Sequence, residues 1–261
     1  MTTPAADGTP HTATTFVIAI DGPAGTGKST IARRVAVALG AGYLDTGAMY
    51  RLVSLAVLDA GIVPTDTVAV AELLPCLTFD TPIDPGGQRH VLAGRDVSDE
   101  IRGQEVTLAV TPVSANPAVR AWLLGRQREL AYSGRMVVEG RDIGTVVTPD
   151  AALKIYLTAD ATERARRRHR QNTVRAGVLA GSVESRDAVG TSLGDADDGG
   201  SAAADLAAVA LDLHRRDSHD STRQHAPLQA AQDAVVIDSS ELAVHETVDR
   251  VLTLAARRGI R

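Results

Sequence analysis

The stretch Gly22-Pro-Ala-Gly-Thr-Gly-Lys28-Ser29 decides the fold of this 261-residue chain. It fits the pattern G-x-x-x-x-G-K-[ST] at every fixed position. Gly22 and Gly27 allow backbone conformations that side chains would block, so successive N–H groups can turn inward around a phosphate. Lys28 can reach the β and γ oxygens, and the Ser29 hydroxyl is placed for Mg²⁺. The segment therefore predicts a phosphate-binding loop.

The residues on either side of this loop support the prediction. Residues 16–20 form a short continuous apolar run, which is typical of a strand buried on both faces. Residues 28–39 carry apolar side chains at helical spacing, and Gly40 ends that helix. A helix that begins at the loop adds its unpaired N–H groups and its dipole to an anion site. We expect the phosphates of a nucleoside triphosphate, ATP if the protein is a kinase, to contact the whole loop, namely Gly22, Pro23, Ala24, Gly25, Thr26, Gly27, Lys28, Ser29 and Thr30.

The rest of the chain alternates strand-like and helix-like segments. This alternation predicts an α/β fold, specifically a three-layer P-loop NTPase fold with a central parallel five-stranded sheet. Residues 64–118 differ, because short apolar runs flank the turn signal at 84–87, so we predict an inserted β-containing subdomain there. The further predicted strands are 42–45, 136–139, 153–157 and 234–238, and the further helices are 48–59, 119–130, 203–216 and 242–257.

Residues 160–223 are predicted to form a helical lid. A capping box at 160–163 opens a helix crowded with arginines, and Arg164 and Arg168 share one face, where they could close over ATP phosphates. Residues 177–204 have few large apolar side chains and are expected to form a mobile loop. We interpret residues 16–261 as a single domain.

Composition narrows the class of protein. The net charge of −5 gives no overall attraction to nucleic acid or membrane. The single cysteine, Cys76, cannot form an internal disulfide and is interpreted as a small buried residue. No histidine spacing is typical of a metal site. Residues 1–15 are predicted to be a disordered tail without signal-peptide features, and we expect a cytoplasmic monomer.

Charged residues after two further strands point to a second, anionic substrate. Asp45 ends one predicted strand, and Arg51 lies in the helix after it. Glu139 ends another strand, where a Walker B carboxylate would lie, and Arg141 and Asp142 follow it. A guanidinium suits bidentate phosphate binding, and Asp142 can accept from an exocyclic amine. This pattern favours a small-molecule kinase.

With these residues in view, the chain resembles the bacterial cytidylate kinase family, from about Phe16 to the last helix. The matching blocks are IDGPAGTGKST, YLDTGAMYR, DVSDEIRGQEVT, VEGRDIGTVV, the ER-x-RRR helix, and Arg216-Asp217 followed by Asp220 and Arg223-x-x-Ala226-Pro-Leu. The chain departs from the family in a longer acidic stretch before Arg216, which affects the expected length of the lid.

The resemblance implies ATP-dependent phosphorylation of CMP and dCMP, with Mg²⁺ as cofactor and no nucleic-acid or membrane partner. It implies that residues 238–241 lie near the donor adenine and that residues 64–118 help to bind the acceptor. The implied catalytic residues are Lys28, Asp45, Arg141 and Arg223. The implied acceptor site has arginines for the phosphate (Arg51, Arg141, Arg223), a cytosine-reading group (Thr111, Arg120, Asp142), a ribose group (Arg216, Asp220), and Thr46 and Tyr50.

Other interpretations stay open at this point. The acceptor could be UMP, AMP or a non-nucleotide, which an acceptor screen separates. A regulatory P-loop protein that binds RNA through its arginine helix is a second alternative, although no interleaved aromatic residues support it. A GTPase is disfavoured, because the chain has no convincing N-K-x-D motif for guanine.

Overall fold

The computed structural model describes residues 15–183, 198–223 and 226–261. Residues 1–14 of the predicted tail and residues 184–197 of the predicted mobile loop lie outside the described residues. Along the chain the helices and strands are β1 (Phe16–Asp21), α1 (Lys28–Ala38), β2 (Gly42–Asp45), α2 (Thr46–Asp59), α3 (Thr67–Leu73), β3 (Phe79–Asp80), β4 (Val91–Leu92), β5 (Arg95–Asp96), α4 (Gln104–Ala115), α5 (Pro117–Ala131), β6 (Arg135–Gly140), β7 (Leu153–Thr158), α6 (Ala161–Val183), α7 (Asp198–Ser221), β8 (Val235–Asp238) and α8 (Val244–Arg257).

The central sheet has five parallel strands in the order β2-β6-β1-β7-β8. This confirms the predicted sheet. The register pairs Asp21 at the end of β1 with Gly140 of β6, and Asp45 at the end of β2 with Glu139. Because parallel strands end at the same edge, the residues that follow them meet there, as in other α/β proteins that bind ligands.

The apolar run of β1 is buried because the sheet is covered on both faces. Val17 and Ala19 point into a cluster with α2, α4 and α5, whereas Ile18 and Ile20 point into a cluster with α1 and α8. Each fully buried Ile or Val stabilises the fold by roughly 1.5–3 kcal/mol relative to an exposed one. Two cores on one sheet give the three predicted layers.

The inserted segment contains a small antiparallel sheet of β3, β4 and β5. Phe79 of β3 packs edge-on against Trp122 of α5, with ring centroids 5.7 Å apart. The backbone oxygen of Ile83 accepts from the N–H of Tyr43 at 2.8 Å, so the insert contacts the edge strand β2 of the main sheet. The insert is therefore tied to the main sheet and to α5.

Three details differ from the sequence-based expectations. Helix α2 begins at Thr46 rather than at 48, because the Asp45 side chain accepts from the N–H of Ala48 and caps the helix. Residues 177–183 and 198–204 of the predicted loop lie in α6 and α7. The interpretation of Cys76 as buried is wrong: it ends a short 3₁₀ turn and is exposed.

No helix in the described part of the chain is long and apolar enough to span a membrane.

Candidate active site

The phosphate-binding loop has a conformation that favours glycine at three positions. Gly22, Gly25 and Gly27 have φ angles of 147°, 80° and 89°. A Cβ atom on Gly22 would lie 2.0 Å from the backbone oxygen of Leu157, and one on Gly25 would lie 2.9 Å from that of Arg164. Gly25 does not occupy a fixed position of the motif, so the motif alone does not explain why glycine is required there. These glycines let β7 and α6 approach the loop closely.

The Lys28 ammonium group lies inside the loop. Its Nζ atom donates to the backbone oxygen of Pro23 at 2.7 Å, and the Thr26 hydroxyl donates to the same oxygen at 3.1 Å. Burial, and then the positive charge of Arg141, lowers the pKa of Lys28, whereas Glu139 and other carboxylates oppose the shift. A phosphate anion would reverse this effect by favouring the charged form.

A cleft of about 760 Å³ opens beside the loop and α1. Among the described residues it is lined by two carboxylates, Asp45 and Glu139, and by a larger set of cations. Such an excess of positive charge in a concave site favours a polyanion. The lining cations are Lys28, Arg33, Arg34, Arg51, Arg102, Arg141, Arg168 and Arg216, and the loop contributes Ala24, Gly25, Gly27, Ser29 and Thr30.

Glu139 is held by a buried network at the end of β6. The Tyr43 hydroxyl donates to its carboxylate, and the Thr46 hydroxyl donates to its backbone oxygen at 2.7 Å. Burial and the nearby Asp45 carboxylate raise the pKa of Glu139, whereas hydrogen bonds to Tyr43 and Ser29 lower it. Glu139 therefore lies beside Ser29, as a Walker B carboxylate should.

The donor set around Ser29 suits Mg²⁺. This ion usually keeps several waters and binds one or two carboxylates together with substrate phosphates. Ser29 is exposed and lines the same cleft as Asp45 and Glu139, so this part of the cleft meets the requirement. The described residues contain no group of three or more His, Cys, Asp and Glu that could hold a metal ion.

Asp21 joins the phosphate-binding loop to the segment after β6. Its two carboxylate oxygens accept from the N–H groups of Ile143 and Gly144, each at 2.8 Å. Burial raises the pKa of Asp21 to about 6, although these two N–H groups lower it. Asp21 precedes the first fixed position of the G-x-x-x-x-G-K-[ST] pattern, and no sequence signal marks it as a functional residue.

Arg51 is positioned from α2 by contacts with the inserted segment. Its guanidinium donates to the backbone oxygen of Ile101 and to the hydroxyl of Thr107, each at 3.0 Å. Burial, followed by the like charges of Arg216 and Arg168, lowers the pKa of Arg51 to about 9. These three arginines repel one another across the cleft, and a bound anion would relieve that repulsion.

A second cluster lies between α5 and the segment after β6. Arg120 forms an ion pair with Asp142, and both side chains are largely buried. The Arg120 guanidinium also lies 5.8 Å from the centroid of the Tyr50 ring, within cation–π range. The predicted cytosine-reading pair is thus assembled, and each partner neutralises the other.

Asp220 connects this cluster to the main cleft. Its carboxylate accepts from Arg141 Nε at 2.9 Å and forms an ion pair with Arg223. Arg223 also lies 3.0 Å from the Ser114 hydroxyl. The buried Nε atom of Arg223 has no hydrogen-bond acceptor among the described residues. An unpaired buried donor on a cation is a favourable partner for a phosphate oxygen.

Two further predicted residues, Thr111 and Arg164, lie outside the main cleft. Thr111 is on α4, where its backbone oxygen accepts from Ser114 at 3.2 Å, next to the second cluster. Arg164 does not line the cleft but lies behind the loop, where it pairs with Asp217 and donates to the Ala24 backbone oxygen at 3.1 Å. Nothing in the sequence spacing of Asp217 indicates this contact with the loop.

A smaller cleft of about 330 Å³ lies on the other side of the loop. Arg167 reaches across it from α6 and donates to the backbone oxygen of Thr26 at 3.2 Å and to the Ser239 hydroxyl at 2.9 Å. The segment after β8, which the resemblance associates with the donor base, therefore contacts the loop through Ser239.

Comparisons with known proteins agree with this geometry. The sequence profile described as cytidylate kinase matches residues 18–192 and 179–257. The chain is 50% identical to the cytidylate kinase of Mycolicibacterium paratuberculosis over 243 residues, which cover 93% of this chain and 96% of that protein. It is 47% identical to that of Rhodococcus opacus, with 93% and 96% covered. It is 44% identical to that of Corynebacterium glutamicum, with 92% and 94% covered.

Proposed function

The chain belongs to the cytidylate kinase family, and from this premise we propose that it transfers the γ-phosphate of ATP to CMP and dCMP, releasing ADP and CDP or dCDP. The observation that carries the proposal is a chain of contacts between the two sites. Arg141 lines the cleft beside the phosphate-binding loop and binds Asp220, and the other partner of Asp220, Arg223, lies near the Arg120–Asp142 pair. A donor site and a pyrimidine site on one protein are what this transfer needs.

The donor phosphates bind in the loop between β1 and α1. The backbone N–H groups of the loop and the start of α1 surround the β-phosphate. Lys28, which contacts the Pro23 oxygen at 2.7 Å, exchanges that partner for the β and γ oxygens. Mg²⁺ bound through Ser29, near Glu139 and Asp45, would supply further neutralisation of the phosphate charge.

The acceptor phosphate is bound by Arg51, Arg141 and Arg223. The like charges of Arg216 and Arg168 around Arg51 and the unpaired Nε atom of Arg223 support this assignment, because an anion both relieves that repulsion and satisfies the donor. The cytosine edge contacts Asp142 and Arg120. Asp142 accepts from the exocyclic amine, which uracil lacks. The ribose lies toward Asp220 and Arg216.

The reaction needs little chemistry from side chains. An in-line transfer breaks the bond from the γ-phosphorus to its bridging oxygen and forms a bond to an oxygen of the CMP phosphate, without a covalent enzyme intermediate. The protein aligns the two oxygens and stabilises the charge that spreads over the transferring group. Lys28, Arg141 and the cations of α6 perform that stabilisation, and helices α6 and α7 limit the access of water.

Three further parts of the proposed function concern the insert, the lid and the working state of the protein. The insert, which we assign to residues 64–118, contributes to acceptor binding, because its Ile101 and Thr107 orient Arg51. The 160–223 region acts as the lid. The protein works as a cytoplasmic monomer on small-molecule substrates.

An acceptor screen tests the proposal directly. ADP release is measured with purified protein, ATP and Mg²⁺, and with CMP, dCMP, UMP or AMP as the acceptor, together with a reaction that lacks an acceptor. We expect CMP and dCMP to give the largest kcat/KM, and the reaction without an acceptor to be slow. Faster turnover of UMP or AMP, or ADP release that no monophosphate increases, would contradict the assignment.

A further inference from the structure

The peptide of Ala24 in the phosphate-binding loop is held from both sides by α6 and α7. Its N–H donates to Asp217 Oδ1 at 3.0 Å, and its backbone oxygen accepts from Arg164 Nη1 at 3.1 Å. Asp217 and Arg164 also form an ion pair with each other. We call these three residues the loop latch.

The loop latch is shielded from water. The Arg164 and Asp217 side chains are each 14% exposed. An apolar cluster of Ala24, Ala165 and Leu213 packs beside them. Charged hydrogen bonds in such surroundings are stronger than at an exposed surface, and a partner left alone there is costly. Breaking the latch would therefore leave Arg164 or Asp217 without its partner in these surroundings.

The helix that supplies Asp217 also supplies two acceptor-site residues. Arg216 lines the main cleft, and Asp220, three residues after Asp217, binds Arg141 at 2.9 Å. Within one turn of a helix these side chains move as a unit. A shift of α7 that places Arg216 and Asp220 on an acceptor must therefore move Asp217 relative to Ala24.

We propose that Asp217 is a positioning residue that couples acceptor binding to ATP binding. It fixes the phosphate-binding loop only when α7 is docked against that loop, that is, when the loop latch is formed. This inference rests on the proposed function and names a regulation of the same site. Docked α7 presents Arg216 and Asp220 to the acceptor and holds the loop in shape for ATP. Each substrate then favours the docked state and increases the affinity for the other, and the effect is reciprocal.

A purely structural latch makes a different prediction. If Asp217 only stabilised the loop, its loss would weaken ATP binding by the same factor with and without CMP. If Asp217 couples the sites, its loss removes the dependence of ATP affinity on CMP. The ratio of two affinities therefore separates the two roles, whereas a single affinity does not.

The experiment measures the Kd of a non-hydrolysable ATP analogue with Mg²⁺ by calorimetry, with and without saturating CMP. For the wild-type protein we expect the two values to differ by roughly 5- to 150-fold, the range common for coupled sites. For Asp217→Asn we expect the ratio to fall to within about twofold of one. Asp205→Asn removes the same charge from an exposed position of α7 and should keep the wild-type ratio.

Arg164→Gln provides a second test, since it removes the other half of the ion pair and should also lower the ratio. It replaces Asp217→Asn if thermal unfolding indicates that the latter does not fold. A wild-type ratio of one, or an unchanged ratio in the folded variant, overturns the inference. The ratio is measured without turnover, so this failure is distinct from a failure of the wild-type protein to phosphorylate CMP.

Discussion

The Nζ atom of Lys28 lies 2.7 Å from the backbone oxygen of Pro23, so the loop lysine contacts its own loop. This contact holds a cation at the point where phosphate oxygens are expected. Burial and the charge of Arg141 also lower the pKa of Lys28. Its charged form therefore depends more on an anionic partner than the charged form of an exposed lysine does.

Lys28→Ala should reduce kcat by roughly 10²–10³-fold, because it removes a cation from the transferring phosphate. The fold should persist, as the β1 and α1 contacts do not depend on this side chain. Steady-state kinetics with CMP and a circular dichroism spectrum check both points. Arg250→Ala on the exposed face of α8 serves as a control. Near-normal turnover in Lys28→Ala would refute the loop assignment.

Arg223→Ala should raise KM for CMP by roughly 10- to 100-fold and change KM for ATP much less. The reason is that Arg223 contacts Ser114 and Asp220 in the acceptor cluster, where its Nε is unpaired, and it does not line the cleft beside the phosphate-binding loop. Initial rates measured against each substrate separate the two effects. Arg166→Ala, an exposed arginine on α6, is the matched control. An equal increase in both KM values would contradict an acceptor role.

Asp142→Asn should reduce the preference for CMP over UMP by roughly tenfold. The carboxylate can only accept, and so favours an exocyclic amine, whereas an amide can also donate to the uracil oxygen. The measurement is the ratio of kcat/KM for the two acceptors. Asp150→Asn, at an exposed site, should leave the ratio unchanged. A constant ratio in Asp142→Asn would remove this residue from base recognition.

The free energy of unfolding should fall as pH rises between about 4 and 6, through Asp21. Its pKa is raised to about 6 in the folded protein from 3.8, so the folded state binds more protons than the unfolded state in this window. The shift corresponds to about 3 kcal/mol, lost as pH rises through the folded pKa. Urea unfolding at several pH values measures this change in the free energy of unfolding.

Asp21→Asn isolates this contribution. The wild-type minus variant difference in unfolding free energy should decrease by about 2.4 kcal/mol from pH 4 to pH 7. The variant also loses one of the two acceptors for Ile143 and Gly144, which lowers its stability at every pH. A difference that does not change with pH would mean that burial does not perturb Asp21.

Gly22→Ala should abolish ATP binding and destabilise the fold by at least about 3 kcal/mol. Its φ of 147° is unfavourable for alanine, and the added Cβ would overlap the Leu157 oxygen. Gly125→Ala, in the middle of α5 with open space around it, should stabilise the protein by about 0.5–1 kcal/mol. Thermal unfolding compares the two. A Gly22→Ala protein as stable as wild type would contradict this backbone geometry.

The sheet and the loop could be predicted from sequence because their signals are local. Continuous apolar runs identify the buried strands, and the fixed glycines and Lys28 identify the loop. The same applies to Arg51 and Arg141, which follow strands that end at one edge. Helix α4 was not predicted, because Pro112 lies inside it and its buried face becomes clear only when it packs on α2.

The contacts that organise the site could not be predicted, because they join distant parts of the chain. Arg164 and Asp217 are 53 residues apart, and Ala24 and Asp217 are 193 residues apart. Neither pair has a fixed spacing that a sequence pattern could report. The same is true of the ion pair between Arg120 and Asp142. The family resemblance places both residues in the cytosine-reading group, but their spacing along the chain does not indicate that they meet.

The strand order also bears on how the chain reaches its native state during biosynthesis. The central strand β1 pairs with β6, so Phe16 meets Arg135, and its other neighbour β7 comes later still. While a ribosome is still making the insert, the most apolar strand of the protein has no neighbour in the sheet. Closing so long a chain segment is entropically slow. The nascent amino-terminal half therefore carries an unpaired apolar strand until β6 and β7 have been synthesised.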